Sequence, residues 1–516
     1  MKRLPIGVSA LTDIIDGDYL YIDKTMFVDA LLKQGQYYFL SRPRRFGKSL
    51  LVDTIKQAFL GNKRLFKGLY LEDNWDWETT YPVVHIDFTV GEIENREQLD
   101  IKMLSILDTI ASSYEISLTE TLISSRFAQL VMKLNQKYNR QVVVLIDEYD
   151  KPMLDNLMDD QLCESIRRGL RDLYSVVEGM GAYIKFVFLT GISKFSKAGL
   201  FSGLNNLNDI SLHSKYANIC GYTQANIEND LSEYIKAGNV DLNELKLWYN
   251  GYNFLGTNEQ KVYNPFDLLL FFDKGYIYDC YWFQTGTPSF LIKLLIKNAY
   301  YLPALESTLV STTLINTFDI DNIPILALLF QTGYLTIDEE VKFGSITNYK
   351  LKYPNFEVKL SLNAYLAQMG NSLETTTNNI SSLRQIIYDG KFDSIGQLIA
   401  SHFASIPHHW YINNNIGHYE GFYASIVYSL FYALGYDLIA EDATNKGRID
   451  LTIKASNKIV IIEFKLGGNA DSAIEQIKNK GYADKYKSLG LSIYMVGINF
   501  DPESKSLADY KWELLS

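Results

Sequence analysis

The sequence predicts an α/β protein: a parallel sheet covered by helices, a helical or winged-helix-like connector, and a second, smaller α/β unit. Three observations carry this. Over residues 1–212 short apolar runs alternate with helical patterns, and strands that are apolar throughout belong to parallel sheets buried on both faces. Over 213–375 the strand signals thin out, and beyond 380 the order is helix, strand, strand, helix, strand. At 516 residues the chain is too long for one core, and roughly 150 residues per domain suggests about three.

The apolar runs of the first segment are 37–40, 83–88, 142–146, 184–189 and, more weakly, 209–212, with helices such as 49–60 and 162–178 between them. In the connector, 227–237, 241–249 and 289–297 have helical spacing, and 333–337 reads as a small hairpin strand. Residues 373–379, Leu-Glu-Thr-Thr-Thr-Asn-Asn, are polar and unpatterned and read as the linker. The last segment offers helices at 382–399 and 419–434, strands at 449–454 and 459–465, a helix near 473–482 and a strand at 492–497.

Composition is that of a folded protein, with 47% hydrophobic and 21% charged residues. A net charge of −11 argues against bulk electrostatic coating of nucleic acid but leaves room for a local basic groove. Residues 380–516 carry 13 Lys+Arg against 15 Asp+Glu, a net of −2, so most of the negative charge lies elsewhere. The 37 Tyr and 27 Phe read as helical packing in preference to a base-stacking platform. Cys163, Cys220 and Cys280 lie far apart and read as buried thiols in a reducing compartment. His408, His409 and His418 cluster without a cysteine, which argues against structural zinc. The opening MKRLPIGVSALTDIIDGDY forms no signal-peptide core, and no run of 18 apolar residues occurs. The expectation is a cytoplasmic protein without a membrane partner.

After the run at 37–40 comes Ser41-Arg-Pro-Arg-Arg-Phe-Gly-Lys-Ser49, then a helix. A loop between a strand and a helix N-terminus is where backbone amides and the helix dipole hold phosphate. Gly47 permits close backbone approach, Lys48 would reach the β and γ phosphates, and the Ser49 hydroxyl would bind Mg²⁺. The usual P-loop has glycine five residues before Gly47, where Arg42 stands. A partner motif, Val142-Val-Val-Leu-Ile-Asp-Glu148, ends an apolar strand in two acids. Asp147 would orient Mg²⁺ and its waters, and Glu148 would polarise an attacking water. Acids at the carboxyl end of a parallel strand stand where ligands bind such sheets. The run at 184–189 ends in Thr190-Gly-Ile-Ser193, placing a hydroxyl to sense the γ phosphate. The alternative is an arginine-rich loop beside a coincidental pair of acids.

These stretches resemble the AAA-ATPase-like proteins with a PD-(D/E)XK nuclease tail, a family common in gut bacteria. The resemblance runs through Pro5-Ile-Gly-Val8, Tyr21-Ile-Asp-Lys-Thr25, Arg42-Pro-Arg-Arg-Phe-Gly-Lys-Ser49, Leu145-Ile-Asp-Glu-Tyr-Asp150, Leu189-Thr-Gly-Ile-Ser-Lys-Phe-Ser196 and Trp248-Tyr-Asn-Gly-Tyr252, nearly the whole chain. In that light Arg42 is the family form. The resemblance implies ATP binding and hydrolysis by an ASCE-type P-loop fold. The nucleotide would be held by Arg44, Arg45, Phe46, Gly47, Lys48, Ser49, Asp147 and Thr190.

In the segment beyond 380, the helix at 419–434 has one broad apolar face, which Glu420 shares with Val427 and Phe431. A carboxylate on a buried side needs a metal, a lysine or a hydrogen-bond donor, or it is simply a first-turn acid favoured by the helix dipole. Strands 449–454 and 459–465 are joined by four residues. If that turn closes a hairpin, Lys454 faces Ile459 and Asp450 faces Glu463. Two like charges directly opposed repel unless a cation sits between them. Alternation puts Lys465 beside Glu463, so Glu420, Asp450, Glu463 and Lys465 form a plausible magnesium site. The PD-(D/E)XK signature is present as Arg448-Ile-Asp450 and Glu463-Phe-Lys465, with Ile449 where a proline is usual. By resemblance, Asp450 and Glu463 hold the metal, Lys465 positions or activates water, Glu420 completes the site and Gln476 supports it. Lys478, Lys480, Lys485 and Lys487 read either as a solvated face or as a phosphate-tracking run.

The expected protein couples an AAA-like ATPase domain (1–212) through the connector (213–375) to a restriction-endonuclease-like nuclease domain (380–516). Its cofactors would be ATP and Mg²⁺ at both sites, and its partner nucleic acid, with DNA the expected one. Defence against foreign DNA is an extrapolation from such fusions. The alternative function is a nucleotide-dependent signalling or scaffold protein whose nuclease-like domain only binds. A homo-oligomer stays open: Arg167, Arg168 and Arg171 share a helix, where they form structural salt bridges or complete a neighbour's ATP site.

Overall fold

Five strands, β1 (Tyr37–Ser41), β2 (Val83–Asp87), β3 (Val142–Asp147), β4 (Ile184–Gly191) and β5 (Asn208–Asp209), pair in parallel in the order β2-β3-β4-β1-β5. Every residue of β1 and β3 is buried, as their unbroken apolar runs require. The computed structural model describes residues 1–89, 91, 93–157, 159–194, 206–257, 260–284, 291, 294–295, 301–306, 308–316, 324–368, 373–404, 420–455 and 457–515. They fold as two compact units, Met1–Gly286 with Leu309–Phe356, and Thr287–Thr308 with Glu357–Ser516. Residues 213–375, expected as one connector, are divided between the two.

In the first unit, α1 (Lys48–Phe59) follows β1 directly, and α2 (Arg96–Ser113), α3 (Ile123–Tyr138) and α4 (Asp160–Gly179) complete the crossovers. Asp159 caps α4 by accepting from the Leu162 amide, and Asn95 caps α2 from the Gln98 amide. On α4, Arg168 pairs with Glu164 at 3.1 Å and Arg167 pairs with the same acid. Beyond the parallel sheet lie a short antiparallel pair, β6 (Tyr222–Thr223) with β7 (Val262–Tyr263), and a three-stranded antiparallel sheet. The latter contains β8 (Leu309–Ser311), β9 (Thr336–Phe343) and β10 (Ile346–Lys352) in the order β8-β10-β9. The strand expected at 333–337 starts at Thr336, because Gly333 (φ 93°) is the left-handed cap of helix Ile325–Thr332. A side chain at Gly333 would lie 2.7 Å from Pro43, so this cap sits against the phosphate loop. In Trp248-Tyr-Asn-Gly-Tyr252, Gly251 (φ 123°) runs so close to the Pro354 carbonyl that a Cβ would stand 2.0 Å away.

The second unit has a five-stranded sheet: β11 (Asp437–Thr444), β12 (Gly447–Ala455), β13 (Lys458–Leu466), β14 (Ser492–Asp501) and β15 (Ser506–Leu515), in chain order. All pairs are antiparallel except β13 with β14, which are joined by the helix Ala470–Asn479. The edge strands β11 and β15 were not expected. Each is half-exposed and polar, so neither has a continuous apolar run to mark it.

The expected linker at 373–379 is helical. It forms the first turns of Leu373–Asp389, and burial of Thr376, Leu383 and Ile387 outweighs the low helix propensity of its Thr and Asn residues. The single helix expected at 382–399 breaks at Gly390 (φ 73°) and resumes as Ile395–Ala404. Lys458, 6% exposed, donates to the Ile387 and Tyr388 carbonyls at 3.0 and 2.8 Å, satisfying the last turn before the break. The helix expected at 289–297 and the three clustered histidines fall largely outside the described residues. Among the described residues, no helix is long and apolar enough to cross a membrane.

Replacing Lys458 by Met should strip those two buried carbonyls of their donor. The second unit should lose about 1–3 kcal/mol, read as a lower urea midpoint for that unit; an unchanged midpoint would show the cap to be dispensable.

Candidate functional site

Because β1, β3 and β4 run parallel, their carboxyl ends meet at one edge, and the loops after them converge there. The loop from Arg42 to Gly47 leaves β1 and enters α1 with two left-handed residues, Arg45 (φ 67°) and Gly47 (φ 89°). Gly47 is the N-cap of α1, which turns the free amides of the first turn toward the loop. Phe46 is buried edge-on against Tyr252, with ring centroids 4.7 Å apart, and fixes the loop in the core. Arg42 is fully buried and reads no ligand. Its guanidinium donates to the carbonyls of Ser41 (2.8 Å), Ser211 (2.8 Å), Tyr216 (3.0 Å) and Ala217 (3.5 Å), and lies 3.9 Å over the Phe254 ring. Arginine therefore stands in the usual glycine position as a brace that ties the loop to segment 211–217.

Lys48, 4% exposed, donates to the Pro43 carbonyl at 3.2 Å and pairs with Glu148 at 3.2 Å. Burial pushes the Asp147 carboxyl up to about 6; the Ser49 hydroxyl, hydrogen-bonded to it, opposes the shift, and Glu148 and Asp87 add to it. A buried acid touching the hydroxyl of the first helical turn is a donor set that suits a hard cation. Glu148 itself has a left-handed backbone, φ 50°. Lys48, Ser49 and Glu148 line a cavity of about 600 Å³ with Arg44, Arg45, Phe46 and Gly47. Thr190 does not join them. Its hydroxyl, expected to sense the γ phosphate, is buried and donates to the Leu40 carbonyl at 2.9 Å within the sheet.

In the second unit, the β12–β13 hairpin has Lys454 opposite Ile459 and Leu451 opposite Ile462, the register expected from its short turn. Asp450 follows, and its Oδ2 accepts from the Phe464 amide at 2.7 Å. Glu463 is 2% exposed; its Oε1 accepts from the Gln476 amide and lies 3.7 Å from the Lys465 ammonium. Lys465 donates to Gln476 Oε1 at 2.8 Å, so the Gln476 amide bridges the lysine and the acid with both its ends. The helix carrying Gln476 can approach because Gly497, opposite Glu463 on β14, has no side chain; a Cβ there would stand 2.4 Å from the Ala470 carbonyl. Both acids act on the buried Tyr482 phenol, whose pKa is raised chiefly by burial. Glu420 opens helix Glu420–Tyr432, and its side chain lies outside the described residues. Among the described residues, no three His, Cys, Asp or Glu side chains gather as a metal cluster. Asp450 and Glu463 supply two carboxylates, the number with which Mg²⁺ is often held beside its waters.

A family model described as Predicted AAA-ATPase matches residues 5–201, and one described as PD-(D/E)XK nuclease superfamily matches residues 418–510. A relative from Azotobacter chroococcum mcd 1, described as an uncharacterized protein in the vnfD 5' region, is 43% identical over 522 residues, spanning 100% of this chain and 99% of its own. The chain belongs to the AAA-ATPase-like family with a C-terminal PD-(D/E)XK nuclease domain.

The family fold explains the matches near the N-terminus that sequence alone left without a role. Val8, Leu20, Ile22 and Lys24 line the same cavity, together with Leu50 and Thr54 of α1 and with Cys220 and Tyr222. Burial brings the Lys24 ammonium down to about 8, and it donates to Asn226 at 3.0 Å. Asp87 ends β2 as Asp147 ends β3, and its charge adds to the rise of the Asp147 pKa. On the nuclease domain, Lys478 pairs with Glu513 at 2.5 Å, Lys487 with Asp484 at 2.7 Å, and Lys485 with the buried Asp442. These three lysines of the basic run are thus engaged within their own domain.

Arg42→Ala should leave four buried carbonyls short of a donor and cost about 3 kcal/mol, read as a lower midpoint of chemical unfolding. A midpoint equal to wild type would show that the brace carries no stability.

Proposed function

We infer that the protein hydrolyses ATP at the β1–β3 edge and cleaves nucleic acid, most simply DNA, at the hairpin site with Mg²⁺. The observation that carries the ATPase half is the meeting of Lys48 with Glu148 at 3.2 Å inside the cavity, beside the Ser49–Asp147 contact. Lys48 would trade Glu148 for the β and γ phosphates, and the backbone amides after Gly47 would hold their oxygens. Ser49 and Asp147 would hold Mg²⁺, which neutralises charge on the phosphates. Glu148, released from Lys48, would accept the proton of the attacking water. The apolar wall of Val8, Leu20 and Ile22 is suited to the nucleotide base.

In the nuclease domain Asp450 and Glu463 would hold the metal, with Glu420 as an added ligand. Metal chemistry there lowers the pKa of a bound water and stabilises charge on the scissile phosphate. Lys465, aimed by Gln476, would orient that water or the departing oxygen. An ATPase joined to a nuclease suits action on foreign DNA inside the cell, with nucleotide turnover gating the cut; homo-oligomers are compatible with this scheme.

Two pairs of variants test the halves. Lys48→Ala should bring ATP turnover to background with circular dichroism unchanged, and Glu148→Gln should bind ATP and retain it; turnover at the wild-type rate in Lys48→Ala would remove the ATPase assignment. Asp450→Asn should abolish Mg²⁺- or Mn²⁺-dependent cleavage of DNA and RNA substrates and leave ATP hydrolysis intact. Unchanged cleavage in that variant would remove the nuclease assignment. Metal-dependent DNA binding without any cleavage by the wild type would favour the scaffold alternative.

A further inference from the structure

Glu148 is held in a conformation that non-glycine residues rarely adopt, φ 50°, and such strain persists only where the surroundings over-determine it. The surroundings here are specific. The Tyr149 amide donates to the Thr190 carbonyl at 3.1 Å, and the Tyr149 hydroxyl donates to the Ser193 carbonyl at 2.9 Å. Asp150 Oδ2 accepts from the Ile192 amide at 3.0 Å, the Ser193 amide at 2.6 Å and the Ser193 hydroxyl at 2.6 Å. The Lys151 amide donates back to the Glu148 carbonyl at 3.0 Å. Gly191 makes this approach possible: a Cβ there would stand 2.3 Å from Asp150 Oδ1 and 2.7 Å from the Tyr149 ring.

Asp150 is fully buried; Lys48 and Lys151 make their ion pairs with Glu148 and Asp155, and the Lys48 charge reaches Asp150 only alongside that of Glu148. A buried carboxylate without an ion pair is expensive, yet three donors converge on one of its oxygens. The side chain, two residues after the one that bears the strain, grips residues 192–193 through that oxygen.

We propose that Asp150 and Ser193 are positioning residues for ATP hydrolysis, forming a clamp that holds Glu148 in its left-handed conformation and so aims its carboxylate into the cavity. The proposal rests on the ATPase reading given above. With the clamp opened, the backbone at Glu148 relaxes toward an ordinary region and its carboxylate swings away from the attacking water. Displacement of a reacting group by about 1 Å costs on the order of 10²-fold in rate. Nucleotide binding depends on the 42–49 loop, which meets the clamped segment through the Arg42 amide, donating to the Gly191 carbonyl at 3.2 Å. The two groups changed in the test, the Asp150 carboxylate and the Ser193 hydroxyl, bond to each other and to the 192–193 amides instead, so turnover and affinity should separate.

The test uses the full chain and measures kcat, KM for ATP, and the Kd of trinitrophenyl-ATP. Asp150→Asn and Ser193→Ala should each lower kcat, the first by on the order of 10²-fold, while the Kd stays within about threefold of wild type. In a Glu148→Gln background neither change should lower the residual rate further, because the group they position is gone. A wild-type kcat in both variants, a Kd that rises in step with the loss of kcat, or an undiminished effect in the Glu148→Gln background would overturn the clamp. Should Asp150→Asn fail to fold, Ser193→Ala, which keeps both backbone donors, decides alone. Lys48→Ala runs alongside. If it is inactive while Asp150→Asn and Ser193→Ala turn over normally, only the clamp fails. If wild type does not hydrolyse ATP, or Lys48→Ala does so fully, the ATPase reading fails and takes the clamp with it.

Discussion

The ion pair between Lys48 and Glu148 is the interaction on which the first unit's edge is built. It joins the loop after β1 to the acid after β3, with β4 between the two strands. Both side chains are mostly buried, 3% and 15% exposed, so neither charge is hydrated as it would be in water. Taking both charges out of water is costly, and removing one partner leaves the other stranded. In the proposed function a phosphate would satisfy Lys48 and free Glu148 together. The pair keeps the two charges compensated; on the function proposed above, nucleotide binding would be the event that frees Glu148 to act as the base.

The rest of the edge holds this pair in place. Arg42 braces the loop through four carbonyls, Phe46 anchors it in the core, and Gly333 lets the antiparallel sheet's feeder helix end against Pro43. The hairpin of the second unit solves a related problem by different means. Asp450 spends one oxygen on the Phe464 amide, and Glu463 is fixed by Gln476, which also holds Lys465. Two acids near one another are tolerated because each has a local donor, and a cation would meet them already oriented.

Much of this was legible in the sequence, for identifiable reasons. Strands β1 to β4 are mostly apolar, so they announce themselves, and the motifs at their carboxyl ends follow. The β12–β13 register was readable because a short turn leaves one pairing. What escaped has physical causes too. The sequence gives the position of Thr190 at the strand end but not the direction of its hydroxyl, which donates to the Leu40 carbonyl. The polar stretch at 373–379 looked like a linker because burial of Thr376 is a tertiary fact. β11 and β15 are half-exposed and carry mixed residues. Lys24 and the N-terminal wall of the cavity reach the site only once the chain has folded over α1.

The most direct measurement is a structure of the full chain with Mg²⁺ and a non-hydrolysable ATP analogue. The account predicts the terminal phosphate on Lys48, the cation on Ser49 and Asp147, and Glu148 parted from Lys48 and turned toward a water beside that phosphate. A nucleotide bound elsewhere, or one bound at the loop with the 3.2 Å Lys48–Glu148 pair still closed, would contradict it.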